Sequence, residues 1–390
     1  MTQLATSVKL PRADGSLYMY TPGAGRSFPA PVKPATSRVA IAAVHVVADP
    51  LAPNGPADPA HLDWDATMAY RRHLWAYGLG VAEGMDTAQR GMGLDWPVAR
   101  ELIARSIAEA HDAGGLVVCG AGTDQLTPGS ARNLDAVEKA YSEQCEFVES
   151  RGGRVVLMAS RELARIAAGP DDYARVYRRV LGRLDRPALI HWLGDMFDPT
   201  LRGYWGHDDI GLAMDVCVDV ITENRARVDG VKISLLDARK EVAMRRRLPP
   251  GVRMYTGDDF NFAEMIAGDE QGHSDALLGI LDAIAPAAAT ALVALDAGDV
   301  EAYKAILAPT VPLSRHIFQA PTYLYKTGIV FMAYLNGHQG HFHMVSGQES
   351  ARSAAHLAEL FVLADRARLL RDPESAVQRM RAYLALSGIT

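Results

Sequence analysis

From residue 38 onward the chain alternates, about eight times, between a short apolar run and a longer amphipathic segment. Few architectures accommodate that rhythm. "RVAIAAVHVVAD" precedes "LDWDATMAYRRHLWAYG", "LGVAEGM" precedes "LDWPVARELIARSIAEAHDAGG", and "LVVCGAG" precedes "ARNLDAVEKAYSEQCEFVESRGG". The pattern continues through "RVVLMAS", "PALIHWLG", "VDGVKIS" and "VRMYTGDD", and a weaker eighth unit starts at "GHSDALLG". Near-continuous apolar runs, as opposed to strict alternation, mark strands buried on both faces. Strand-helix alternation implies right-handed crossovers and a parallel sheet. About eight units is what closure into a (β/α)8 TIM barrel requires. An open doubly wound sheet is the rival, but "GAGTDQ" at 120–125 lacks the third glycine of a dinucleotide fingerprint.

The flanks read differently. Residues 1–37 carry two short extended runs joined at Asp14-Gly15, a hairpin signal, and then a Pro-rich connector. After about residue 298 the strands stop and several helices follow. The expected organisation is an N-terminal hairpin and connector (1–37), a barrel (38–297) and a C-terminal helical region (298–390).

Composition narrows the functional class. The 390 residues are 49% hydrophobic and 22% charged, enough apolar material for a large core. A net charge of -6 leaves no basic field for nucleic acid or an anionic membrane. The three cysteines, Cys119, Cys145 and Cys217, form no metal-type pair and no disulfide framework, which fits a reducing compartment. Without a leader-like start or a bilayer-length apolar run, the expectation is a cytoplasmic protein acting on a small molecule.

One residue breaks the apolar rhythm. In "VDGVKISLLDARKE" (228–241), Lys232 sits inside the sixth strand-like run. An ammonium is costly to bury without a partner. Active sites of such barrels lie at the C-terminal ends of the strands. A lysine held there between apolar walls has a lowered pKa and, as the neutral amine, can attack a carbonyl to form an iminium. The other reading is that Lys232 snorkels outward or pairs with Asp229 or Asp258.

"GVKISLLDARKEVAMRRRLPPGVRMYTGDDFNF" resembles the sixth- and seventh-strand region of the dihydrodipicolinate synthase / N-acetylneuraminate lyase superfamily. Gly230, Lys232 and Ser234 match its lysine segment, and Gly257, Asp258 and Asp259 its following turn. The first three units resemble that family too, and the likeness extends over about residues 38–320. It implies a class I aldolase-like lyase that uses Lys232 as Schiff-base nucleophile, without metal or organic cofactor, in a homo-oligomer. Two departures stand out. Where the family carries a Gly-Thr-Thr-Gly-Glu loop, this chain has "EGMDTAQRG", in which Glu83, Gly84, Asp86 and Thr87 are the candidate substrate-binding residues, with Gly257, Asp258 and Asp259. The acidity of Glu83 and Asp86 points to a hydroxyl-rich or neutral substrate. Where the family's fifth strand ends in a proton-relaying tyrosine, "PALIHWLG" places His191 or Trp192. His191 and Tyr255 are therefore the candidate relays.

Two further segments carry chemistry-bearing side chains. The loop "GDMFDPTLRGYWGHDD" (194–209) offers Phe197, Tyr204 and Trp205 either as a stacking surface for a sugar or as a subunit interface. "GHQGHFHM" clusters His338, His341 and His343, but at no common metal-ligand spacing. Three functions follow: a Schiff-base lyase or aldolase acting on a keto acid, keto sugar or sugar-acid derivative; a metal-dependent barrel lyase or isomerase; and a non-catalytic metabolite-binding barrel.

Overall fold

The computed structural model describes residues 7–389. Two antiparallel strands open it, β1 (Val8–Pro11) and β2 (Leu17–Tyr20). Their turn is closed by Arg12 N–H donating to Ser16 O at 2.8 Å, with Gly15 at φ +83°. The hairpin lies on the C-terminal helices, with Val8 and Leu10 buried and Tyr20 Oη donating to Asp365 at 2.6 Å. The connector is tied down as well, since Asp296 accepts from Thr36 N at 2.6 Å and Ser37 N at 3.0 Å.

Eight parallel strands then close into a barrel, as the alternation predicts. They are β3 (Ala40–Ala43), β4 (Gly80–Glu83), β5 (Val117–Ala121) and β6 (Arg154–Leu157), followed by β7 (Ala188–Leu193), β8 (Val228–Ser234), β9 (Arg253–Thr256) and β10 (Asp275–Leu278). The weak eighth unit closes the ring, pairing β10 with both β9 and β3. Helix starts are written in the loops: Asp63, Asp95, Asn133, Asp209 and Asp237 each accept a hydrogen bond from the first turn that follows. A side-chain acceptor there satisfies an otherwise orphaned N–H and is worth about 1 kcal/mol per cap.

Side-chain alternation sorts the strands into two cores. Ile41, Ala43, Ala82, Val118, Val156, Leu189, Tyr255 and Leu277 fill the barrel interior. Val81, Cys119, Val155, Ile190, Val231 and Ile233 face outward and join the larger core beneath the helices. Because Val231 and Ile233 point out, Gly230, Lys232 and Ser234 point in. All three cysteines are buried and free.

Beyond the barrel, the helices Val300–Leu307, Thr310–Ile317, Tyr325–Leu335, Ala354–Arg366 and Pro373–Leu386 pack as an extension. Every residue of Tyr325–Leu335 is buried, and this helix starts over the C-terminal end of the barrel. Among the described residues no helix is long and apolar enough to cross a membrane.

Candidate active site

Register brings the central residues together: Lys232 pairs with His191 on one side and Tyr255 on the other. The Lys232 side chain is 6% exposed. Its amine has no carboxylate within ion-pair distance and no hydrogen-bond partner among the described residues. Burial pushes its pKa below that of an ordinary lysine, and the charges of Asp86 and Asp259 only partly oppose this. Neither Asp229 nor Asp258 pairs with it. The alternative of an outward or ion-paired lysine therefore does not hold.

The acid groups of the mouth divide by what they bond. Asp259 accepts from Ile280 N at 2.8 Å, and burial lifts its carboxyl to about 7, with Lys232 pulling the other way. Asp258 is spent on its own turn, accepting from Phe260 N at 2.9 Å and from Asn261 N and Nδ2 at 3.1 and 2.8 Å. Gly257 serves the backbone: a Cβ there would stand 2.4 Å from Ile233 O, so strands β8 and β9 could not approach as they do. Gly84, at φ +63°, makes the turn out of β4. Asp86 and His191 line a cavity of about 360 Å³ over the mouth, together with Arg161, Thr123 and Leu193. His191 Nε2 lies 3.2 Å from Ser234 Oγ, and burial, reinforced by the neighbouring Lys232, holds the ring neutral by pushing its pKa well down.

Three expectations are corrected. Glu83 does not face substrate. It points outward from β4 into a bidentate pair with Arg71 at 2.9 and 3.0 Å, and also accepts from Ser106 Oγ and Gly84 N. Both partners are fully buried, so its charge is cancelled where it stands. Tyr255 is not placed to relay protons at the mouth. Its ring covers Gly230 and its hydroxyl donates to Asp229 at 2.9 Å, near the start of β8, at the opposite end of the barrel. Tyr204 and Trp205 form no stacking surface. They are buried against Tyr173 and Tyr177, with the Tyr204 and Tyr177 hydroxyls 3.0 Å apart.

The histidine cluster also separates. His338 packs on His73 and Tyr70, with ring centroids 4.4 and 4.9 Å away, whereas His341 and His343 face each other at 5.6 Å beside Glu349. Among the described residues no three His, Cys, Asp or Glu side chains are placed to hold a metal.

The tertiary structure adds two residues that the strand-by-strand reading missed. Tyr325 Oη lies 2.7 Å from Thr87 Oγ1, and its ring stacks on Phe318. A tyrosine thus reaches the mouth from the C-terminal helix, while the fifth strand offers a histidine. Lys326, next to it, is buried, and its amine donates to Tyr323 O at 3.0 Å. Burial pushes its pKa down to about 8, against the pull of Asp86. The cue was present in "YKTGIVFMAYL", a lysine in an apolar run, which is the same signal that marks Lys232.

A family model described as "Protein of unknown function (DUF993)" matches residues 8–389. The chain belongs to that family. No curated protein matches it. Among solved structures, this DUF993 chain is similar to dihydrodipicolinate synthase from Aquifex aeolicus, with TM-score 0.65 and 12% identity over 85% of this chain and 99% of that one. It is also similar to the dihydrodipicolinate synthase from Bacillus clausii, with TM-score 0.61 and 17% identity over 83% and 96%. The enzyme of that name from Thermotoga maritima gives TM-score 0.58 and 14% identity over 90% and 99%. At such identities the likeness is one of fold, and it agrees with the resemblance seen in the sequence: DUF993 has a dihydrodipicolinate synthase-like barrel.

Proposed function

We propose that the protein is a Schiff-base-forming lyase or aldolase that acts on a keto acid, a keto sugar or a sugar-acid derivative. One observation carries this reading: an amine buried in the barrel mouth, Lys232, that no carboxylate neutralises within ion-pair distance. Its neutral form attacks the substrate carbonyl carbon, giving a carbinolamine. Loss of water then leaves an iminium that takes up the electron pair of the adjacent carbon–carbon bond as it breaks, or that of an adjacent carbon–hydrogen bond, giving an enamine that expels the next hydroxyl as water. Asp259, with a carboxyl near 7, takes and returns the proton. In this reading the Thr87–Tyr325 hydroxyl pair, 2.7 Å apart, holds a substrate oxygen in place of the family's fifth-strand tyrosine.

With Glu83 cancelled by Arg71, the mouth is less acidic than the sequence alone implies. Arg161 is paired with Asp198 at 2.5 Å, which leaves Lys326 as the cation that favours a substrate bearing a carboxylate over a neutral one. A homo-oligomer in the cytoplasm is part of this proposal. The metal-dependent reading is not favoured, because the described residues bring no such donor set together.

The test is borohydride trapping. The protein is incubated with a panel of 2-keto acids and keto sugars, reduced, and mapped by peptide mass spectrometry. A reduced adduct on Lys232 is the expected result. Turnover of a substrate by protein that traps nothing on Lys232 would overturn the proposal.

A further inference from the structure

A second cavity, of about 660 Å³, lies outside the barrel, between the helices Trp64–Ala76 and Ile280–Asp296 and the chain at 25–29 and 368–373. It shares no lining residue with the mouth cavity. Its two ends differ in chemistry.

The inner wall presents acceptors. Asp282 lines the cavity and is 1% exposed; its Oδ2 accepts from His45 N and faces His45 Nδ1, both at 2.8 Å. Its other oxygen, Oδ1, has no hydrogen-bond partner. Behind it His45 Nε2, also buried, has none either. A proton on Nδ1 directed at the carboxylate leaves Nε2 a bare acceptor. Buried polar atoms of this kind are nearly always satisfied in a folded protein, and the Tyr70 hydroxyl beside them is spent on Asp282 O at 2.7 Å, so these two acceptors are left without a donor.

The outer rim presents cations. Arg26, Arg368 and Arg371 all line the cavity, and none has a carboxylate within ion-pair distance among the described residues. Asp372 lines the rim as well, its carboxylate turned to the last helix as a cap that accepts from Ser375 N at 3.1 Å and Oγ at 2.6 Å. Arg368 takes the left-handed region at φ +56° as the end of the helix Ala354–Arg366, where Leu369 N donates back to Ala364 O at 2.9 Å. The planar guanidinium forks suit phosphate oxygens.

We propose that this cavity is a second ligand site, shaped for a small phosphorylated polyol whose phosphate meets the three arginines and whose hydroxyl donates to the free oxygen of Asp282. The site is joined to the barrel mouth by one connection and to the outward-facing Glu83 pair by another. Asp282 belongs to the same helix as Ile280, whose N–H is bound by Asp259. Arg71, which clamps Glu83, also donates to His45 O at 2.6 Å.

Calorimetric titration of the full chain with inorganic phosphate, glycerol 3-phosphate and glycerol tests it. Glycerol 3-phosphate is expected to bind saturably and more tightly than inorganic phosphate, with glycerol the weakest. The exposed pair Arg368→Gln/Arg371→Gln should weaken both phosphates at least about tenfold. Asp282→Asn should remove the advantage of glycerol 3-phosphate over phosphate, and Lys232→Met should change neither affinity. The proposal is overturned by the absence of saturable binding up to about 10 mM of either phosphate. It is equally overturned by undiminished affinity in the arginine variant, or by loss of binding in Lys232→Met, which would put the ligand in the barrel mouth.

Discussion

The two ends of the barrel treat charge in opposite ways. At the N-terminal end charges are answered by neighbours: Arg154 pairs with Asp229 at 3.2 Å, Arg253 with Asp275 at 3.4 Å, and Tyr255 donates to Asp229. At the C-terminal end, eight strands' worth of apolar wall leads to Lys232, Asp259 and His191, whose titrations are all shifted by burial. The first arrangement leaves none of these charges uncompensated, because each partly exposed pair keeps its hydration and a partner. The second brings Asp259 to about 7 and pushes Lys232 and His191 toward their neutral forms, which is useful for chemistry and costly for stability. The barrel therefore separates scaffold from site along its axis, the division of labour general to this architecture.

Lys232→Met probes that separation with the largest expected effect. Turnover and borohydride trapping should fall by at least about a thousandfold, as for removal of a covalent nucleophile. The thermal midpoint should hold or rise, since an apolar side chain of similar length replaces an unpaired buried amine. A variant that kept its activity and lost stability would show that Lys232 belongs to the scaffold after all.

Asp259→Asn should act through the titration of the amine. A carboxylate favours the protonated lysine, so removing it lowers the Lys232 pKa further. The free amine is the nucleophile, and trapping therefore rises as pH passes through that pKa. Its acid limb should move to lower pH, with the difference seen above about pH 7, where Asp259 ionises. A limb that stays in place would mean the two groups do not sense each other. Tyr255→Phe, at the opposite end, should show the smallest effect. Deleting its bond to Asp229 costs about 1 kcal/mol in denaturant unfolding and leaves trapping within about twofold. A large loss of trapping would restore Tyr255 to the chemistry and erase the contrast between the ends.

Much of this molecule was readable from local pattern. Strand-helix alternation is a short-range property, so the closed barrel, the capped helices and the N-terminal hairpin could be read in order along the chain. Lys232 was legible because it violates an apolar run, and period-two alternation with Val231 and Ile233 turns it inward.

What a side chain does after leaving its strand was not legible. Glu83 looked like an acid of the substrate loop; parity turns it outward, and only the packed helices supply Arg71 and Ser106. Tyr204 and Trp205 suit a sugar-stacking surface as well as they suit a core, and the helix Pro170–Arg183 decides for the core. Tyr325 reaches Thr87 across 238 positions of sequence, a contact that no strand-end motif records. Periodicity and composition by themselves determined the barrel and its one anomalous lysine, because both are fixed within a few residues of backbone. The partners of each buried charge were decided by tertiary structure alone, because solvation and pairing depend on atoms that only folding brings near.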